Sequence, residues 1–155
     1  MLKINHVTKH YKGSNKGVSD ISLHIAPGDI YAFIGHNGAG KTTTLKCVAG
    51  IHGFDAGEIT IDGIDISKDP IKSKQCFAYI PDNPDLYEYL TGIQYLSFVA
   101  DVFGVSAADR EERIKTYGDA FEITPSLGDL ISSYSHGMKQ KLAIISALVH
   151  EPKLL

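Results

Sequence analysis

The sequence predicts an α/β fold in which a β-rich first part carries a glycine-rich loop and a helical second part comes after it. Three observations predict it. Gly35-His36-Asn37-Gly38-Ala39-Gly40-Lys41-Thr42 lies between a short apolar run and a helical stretch. The apolar spacing of the first third is that of strands. The spacing from Thr91 onward is that of helices.

The strand signals come first. Val18, Ile21, Leu23 and Ile25 mark a partly alternating strand that ends at Pro27-Gly28-Asp29. Ile30-Tyr31-Ala32-Phe33-Ile34 is a continuous apolar run, the pattern of a strand buried on both faces, and it leads directly into the glycine-rich loop. Lys41 to Ala49 reads as a helix with Leu45, Val48 and Ala49 inward and Gly50 as its stop. Glu58–Ile61, Asp62-Gly63 and Ile64–Ile66 read as a hairpin. Phe77–Ile80 reads as a further core strand, stopped by Pro81.

The helical signals lie in the second half. Thr91 and Gln94 form a capping box before a stripe of Leu96, Val99 and Phe103, with Gly104 as C-cap. Ser106 to Phe121 is a more polar helix with Ile114, Tyr117 and Phe121 on one side. A loop from Ile123 to Ser135 leads to a last helix near Gly137, whose stripe is Met138, Leu142, Ile145 and Val149. Pro152 ends it, and Lys153-Leu154-Leu155 reads as the start of another buried strand.

Length and composition bound the function. A chain of 155 residues fits one domain, and 43% hydrophobic with 21% charged residues is ordinary for a globular protein. The net charge of -3 argues against a broad nucleic-acid-binding face, so no nucleic-acid partner is expected. No apolar run approaches the roughly 20 residues that cross a bilayer, and Met1–His6 has no signal-peptide character. Cys47 and Cys76 show no metal-type spacing and read as reduced structural thiols. Of the seven histidines, His36 lies in the glycine-rich loop and His136 beside Gly137; the rest show no ligand spacing either.

The glycine-rich loop satisfies the Walker A pattern, with the strand before it and the helix after it. Gly35, Gly38 and Gly40 permit unusual backbone angles, so several N–H groups can converge on phosphate oxygens. The positive end of the next helix points to the same place. Lys41 can reach the β- and γ-phosphates, and the Thr42 hydroxyl can coordinate Mg²⁺. Gly35, His36, Asn37, Gly38, Ala39, Gly40, Lys41, Thr42 and Thr43 are therefore the expected nucleotide-binding residues, with Mg²⁺ beside the phosphates; the motif alone says nucleotide and not which P-loop enzyme.

Three further stretches resemble the ATP-binding-cassette (ABC) ATPases. Ser19–Leu23 and Pro27–Gly35 are similar to the run around that family's loop. Tyr11 stands where the family has an aromatic that stacks on adenine, although a tyrosine packed in an edge strand is the other reading. Tyr134-Ser135-His136-Gly137-Met138-Lys139-Gln140-Lys141 resembles the ABC signature, Leu-Ser-Gly-Gly-Gln, in the variant of bacterial drug- and peptide-efflux ATPases. Ser135 and Gly137 match; His136 and Met138 depart. The resemblance implies that Ser135, His136, Gly137 and Met138 meet the γ-phosphate held by a second ATPase subunit in a head-to-tail dimer. Ile80–Tyr87 resembles the region after the Q-loop strand, with Asp82 where most of the family has Gln. A role for Asp82 in holding Mg²⁺ beside Thr42 is implied; an ordinary turn residue is the alternative.

The resemblance covers nearly the whole chain and implies an ATPase subunit that works on a transmembrane permease, cytoplasmic and peripheral on the inner face of the cell membrane, in export. It divides residues 1–155 into a β-rich core with the phosphate loop (1–87), a helical subdomain (88–150) and the start of the Walker B strand (151–155). The family's Walker B Asp, its catalytic Glu and its later His have no counterpart among these residues. The chain is thus expected to be an N-terminal fragment with an incomplete sheet and no catalytic residue of its own. Two alternatives stay open: an ABC ATPase that drives no transport, and a P-loop GTPase or small kinase. No paired cassette and no Asn-Lys-x-Asp motif marks either.

Overall fold

The computed structural model describes residues 1–13 and 16–155. It divides into two compact units, residues 1–77 with Leu154 and residues 78–153 with Leu155.

The first unit is built on a four-stranded antiparallel sheet of order β2-β1-β3-β4. Its strands are β1 (Leu2–His10), β2 (Gly17–Ile25), β3 (Ala56–Ile61) and β4 (Ile64–Asp65). β1 is central: Leu2 pairs with Ile25 on one side and Ile61 on the other, and Ile4 with Leu23 and Ile59. Leu2, Ile4, Ile25, Ile59 and Ile61 thereby share one buried face. The alternation breaks at His6, whose φ is 50°, across from Asp20 at 53°. This bulge shifts the register by one residue and returns Val7 to the buried face. The expected β3–β4 hairpin forms, with Asp62 and Gly63 both at positive φ in its two-residue turn.

Helix α1 (Lys41–Val48) comes after the glycine-rich loop, and Gly50 at φ 65° ends it as expected. Its buried face is Thr44, Cys47 and Val48, continued by Ala49. Leu45, expected inward, is exposed instead, because the 44-47-48 stripe turns it about 100° away from the sheet. A short helix, α2 (Pro70–Lys74), is capped by Asp69.

Two expected core strands do not form. Ile30–Ile34 takes no strand conformation, and Ile30 and Ile34 are fully exposed. A strand is held by ladder hydrogen bonds to neighbours, and none of the described strands pairs with this run. Phe77–Ile80 shows only one parallel bridge, Phe77 to Leu154, with the Leu154 N–H donating to the Cys76 carbonyl at 3.2 Å. The expected strand at Lys153–Leu155 is reduced to that bridge, and Leu155 is exposed rather than buried.

The second unit is helical: α3 (Gly92–Val102), α4 (Ala107–Ala120) and α5 (His136–Leu148). The Thr91–Gln94 capping box is present in full, and Ser106 caps α4. Leu96, Ala100, Ile114, Leu142, Ile145 and Val149 form the core. The segment 123–135 is more ordered than a plain loop. It makes two 3-10 turns, at Thr124–Ser126 and Ile131–Ser133, and buries Ile123, Leu127 and Ile131. The Tyr134 hydroxyl donates to the Ser126 carbonyl at 2.5 Å and ties the end of this segment to its start.

The fold is α/β of the P-loop type, with an N-terminal β-sheet, a helical part and a sheet that is open toward the C-terminal residues. No helix among the described residues is long and apolar enough to cross a membrane.

Candidate functional site

The first helical residues of α1 are Lys41, Thr42 and Thr43, and its N-cap, Gly40, offers no side chain to their N–H groups. Those donors have no acceptor within the helix. Gly40 is fixed here on two grounds. Its φ is 88°, and a Cβ at this position would sit 2.2 Å from Val18 Cγ1 of β2. The close approach of loop to sheet thus requires glycine. Gly38 also has a positive φ, 86°. Gly35 does not, so its expected unusual backbone angle is absent; it forms the tight entry beside Ala39 instead.

Lys41 curls back over its own loop. Its ammonium donates to the Gly35 carbonyl and, at 2.9 Å, to the His36 carbonyl. The Ala39 N–H closes a turn onto the His36 carbonyl at 3.2 Å, and His36 Nδ1 lies 2.9 Å from the Asn37 carbonyl. Thr44 is buried and donates its hydroxyl to the Gly40 carbonyl at 3.0 Å, which pins the first turn of α1. Tyr11, Gly17 and the run Asn37–Thr43 line one opening of about 220 Å³. Lys16 also lines it, so its donors are backbone N–H groups, two lysines and threonine hydroxyls, with an aromatic ring in the lining. That set fits a phosphorylated ligand with a planar base, and Thr42 offers the oxygen a hard cation prefers. Among the described residues no group of three or more His, Cys, Asp or Glu is placed to hold a metal ion. A cation here would therefore be held largely through the ligand's own phosphates.

A larger opening of about 320 Å³ in the second unit is a poor match for the same ligand. Asp109, Glu112 and Glu151 line it, and the guanidinium of Arg113 is engaged by Glu151 at 2.8 Å and the Val149 carbonyl at 3.0 Å. Three carboxylates around an occupied cation repel phosphate.

Ser135 is the N-cap of α5, and its Oγ accepts the Met138 N–H at 3.2 Å. His136 and Gly137 are exposed in the first turn, and Met138 is half-buried against the helical core. Asp82 is exposed in the irregular segment after Ile80.

The ABC transporter family model matches residues 18–155. The chain belongs to the ABC transporter family. It is 34% identical over 156 residues to the ABC transporter ATP-binding protein YhcH of Bacillus subtilis, covering 100% of this chain and 50% of that protein. It is 33% identical over 155 residues to the linearmycin resistance ATP-binding protein LnrL of the same organism, again covering 100% and 50%. A solved ATP binding subunit of an ABC transporter superposes on 98% of this chain with a TM-score of 0.92 and 34% identity, covering 63% of its own length. The chain spans about half the length of the curated relatives it matches.

Some residues around the opening beside Tyr11 were not singled out from sequence. The Tyr11 ring is flanked by Lys9 and His52, and Lys9 is paired with Asp55. The His10 N–H donates to the Asp55 carboxylate at 2.7 Å and, as the main cause, holds its pKa below the usual carboxylate value. None of these lies in a recognised motif. The available signal was the alternation of Leu2 and Ile4 at the start of β1, which the bulge at His6 disguises.

Proposed function

We propose that the whole protein is the ATP-binding subunit of an ABC transporter and couples ATP binding and hydrolysis to export of a substrate through a membrane. The observation that carries this reading is the uncapped start of α1, with Lys41 and Thr42 beside Tyr11 in one opening. Gly35–Gly40 and Thr43 cradle the phosphates, Lys41 neutralises the terminal ones, Thr42 holds Mg²⁺, and Tyr11 stacks on adenine. Asp82 completes the Mg²⁺ shell. Ser135, His136, Gly137 and Met138 meet the γ-phosphate of a second subunit in a head-to-tail dimer, and a transmembrane permease subunit receives the motion. The protein then lies at the inner face of the membrane. Residues 1–87, 88–150 and 151–155 act as core, helical part and strand start of one ATPase domain. Export draws on the likeness of Tyr134–Lys141 to the efflux variant, and one relative is a linearmycin resistance protein.

The test is ATP-driven association of the whole protein, monitored by sedimentation with Mg·ATP. Ser135→Arg should leave single-site ATP binding intact and eliminate the association. Association undiminished by this change would overturn the head-to-tail arrangement, and failure of the wild-type protein to bind ATP would overturn the function.

A further inference from the structure

We propose that Lys9, held by Asp55, is a positioning residue that fixes the Tyr11 ring, together with His52, as the platform for the nucleotide base. This rests on the nucleotide reading above and adds the residues that orient its base-binding side.

Tyr11 comes directly after the last residue of β1, where an aromatic ring would ordinarily turn freely. Two contacts hold it. The Lys9 ammonium lies over the ring, 5.7 Å from its centroid, inside the distance at which a cation is attracted to an aromatic face. The His52 ring meets it edge-on at 86°, with centroids 5.9 Å apart.

Both contacts are anchored in turn. Lys9 Nζ is 3.6 Å from Asp55 Oδ1, and the Lys9 side chain is only 19% exposed. Drawing a lysine that far out of water is costly unless its charge is matched. Asp55 cannot swing away, because Oδ2 accepts the His10 N–H at 2.7 Å and its own N–H donates to the Thr8 carbonyl at 2.8 Å. The His52 N–H donates to the Lys46 carbonyl at 3.1 Å, which ties it to the end of α1. The helix that starts at the phosphate loop thus also carries one support of the base platform.

A ring fixed before the ligand arrives loses less side-chain freedom on binding. Lys9 therefore acts on the base and not on the phosphates, and this separates positioning from a general role in sheet stability. The experiment titrates the whole protein with Mg·ATP and, separately, with inorganic tripolyphosphate, which has no base. Lys9→Met and Asp55→Asn should each weaken ATP binding about 3–10-fold and leave tripolyphosphate binding unchanged. Lys9→Arg, which keeps a cation over the ring, should restore ATP binding. Equal weakening of both ligands, or no weakening of ATP by Lys9→Met while Tyr11→Ala weakens it, would overturn the proposal alone. If Tyr11→Ala itself leaves ATP binding unchanged, the stacking role of Tyr11 fails and the proposal fails with it.

Discussion

Helices α1 and α5 begin in opposite ways. α5 starts at Ser135, whose Oγ accepts the Met138 N–H, and α3 and α4 are likewise capped by Thr91 and Ser106. α1 starts at Gly40, which has no side chain to give. A side-chain cap satisfies one of a helix's first donors and stabilises the helix by about 1 kcal/mol. An uncapped helix leaves its donors to whatever anion comes within reach. The two helices are similarly embedded, with buried faces at Thr44, Cys47 and Val48 in one and Leu142, Ala143, Ile145 and Ala147 in the other. The difference therefore lies in the caps: at α5 the Ser135 hydroxyl satisfies the Met138 N–H, and at α1 no side chain satisfies the corresponding donor. Gly40 is required there both by its backbone angle and by its contact with Val18, so stability and binding meet at one residue.

Glycine substitutions should give the largest contrast. Gly40→Ala combines a strained backbone with a clash against Val18 and should destabilise the protein by about 2 kcal/mol or more. Gly137→Ala in the first turn of α5 meets nothing within 4 Å and has no positive φ, so it should be neutral or stabilising by up to about 1 kcal/mol. Urea unfolding of both variants checks this; equal losses would mean that the two helix starts are not distinct. Tyr134→Phe, just before α5, removes the donor to the Ser126 carbonyl and should cost about 1–2 kcal/mol. A loss confined to the first unit, read by hydrogen exchange, would contradict that assignment. Ser135→Ala should cost less than Gly40→Ala, about 1 kcal/mol. It should speed exchange of the Met138 amide, with no change at Lys41–Thr43.

The same contrast explains what could be read from sequence. Helices close their hydrogen bonds within a few residues, so the Thr91–Gln94 box, the Leu142–Ile145–Val149 stripe and the limits of α3, α4 and α5 were legible in local pattern. The β3–β4 hairpin was legible for the same reason, since Asp62-Gly63 sets its turn locally. Ile30–Ile34 and Phe77–Ile80 carry the composition of buried strands, yet a strand depends on distant partners that composition does not supply. Leu45 failed because a stripe of three residues leaves the phase of a short helix ambiguous. In the candidate site the loop Gly35–Thr42 and Tyr11 were legible because their chemistry is contiguous or motif-bound. Lys9, His52 and Asp55 were not, because β1, the end of α1 and the start of β3 meet only in the folded sheet. The Ser135 cap of α5 is local in the same way, since its Oγ reaches only to the Met138 N–H.

The measurement closest to the central claim is calorimetric titration of the whole protein and its Lys41→Ala variant with Mg·ATP. Lys41 holds its ammonium on the Gly35 and His36 carbonyls at the mouth of the loop. A charge-assisted hydrogen bond is worth about 1.5–3 kcal/mol, so the variant should bind about 10–150-fold more weakly while unfolding at the wild-type urea midpoint. Binding within about twofold of wild type would contradict the account and place the nucleotide elsewhere.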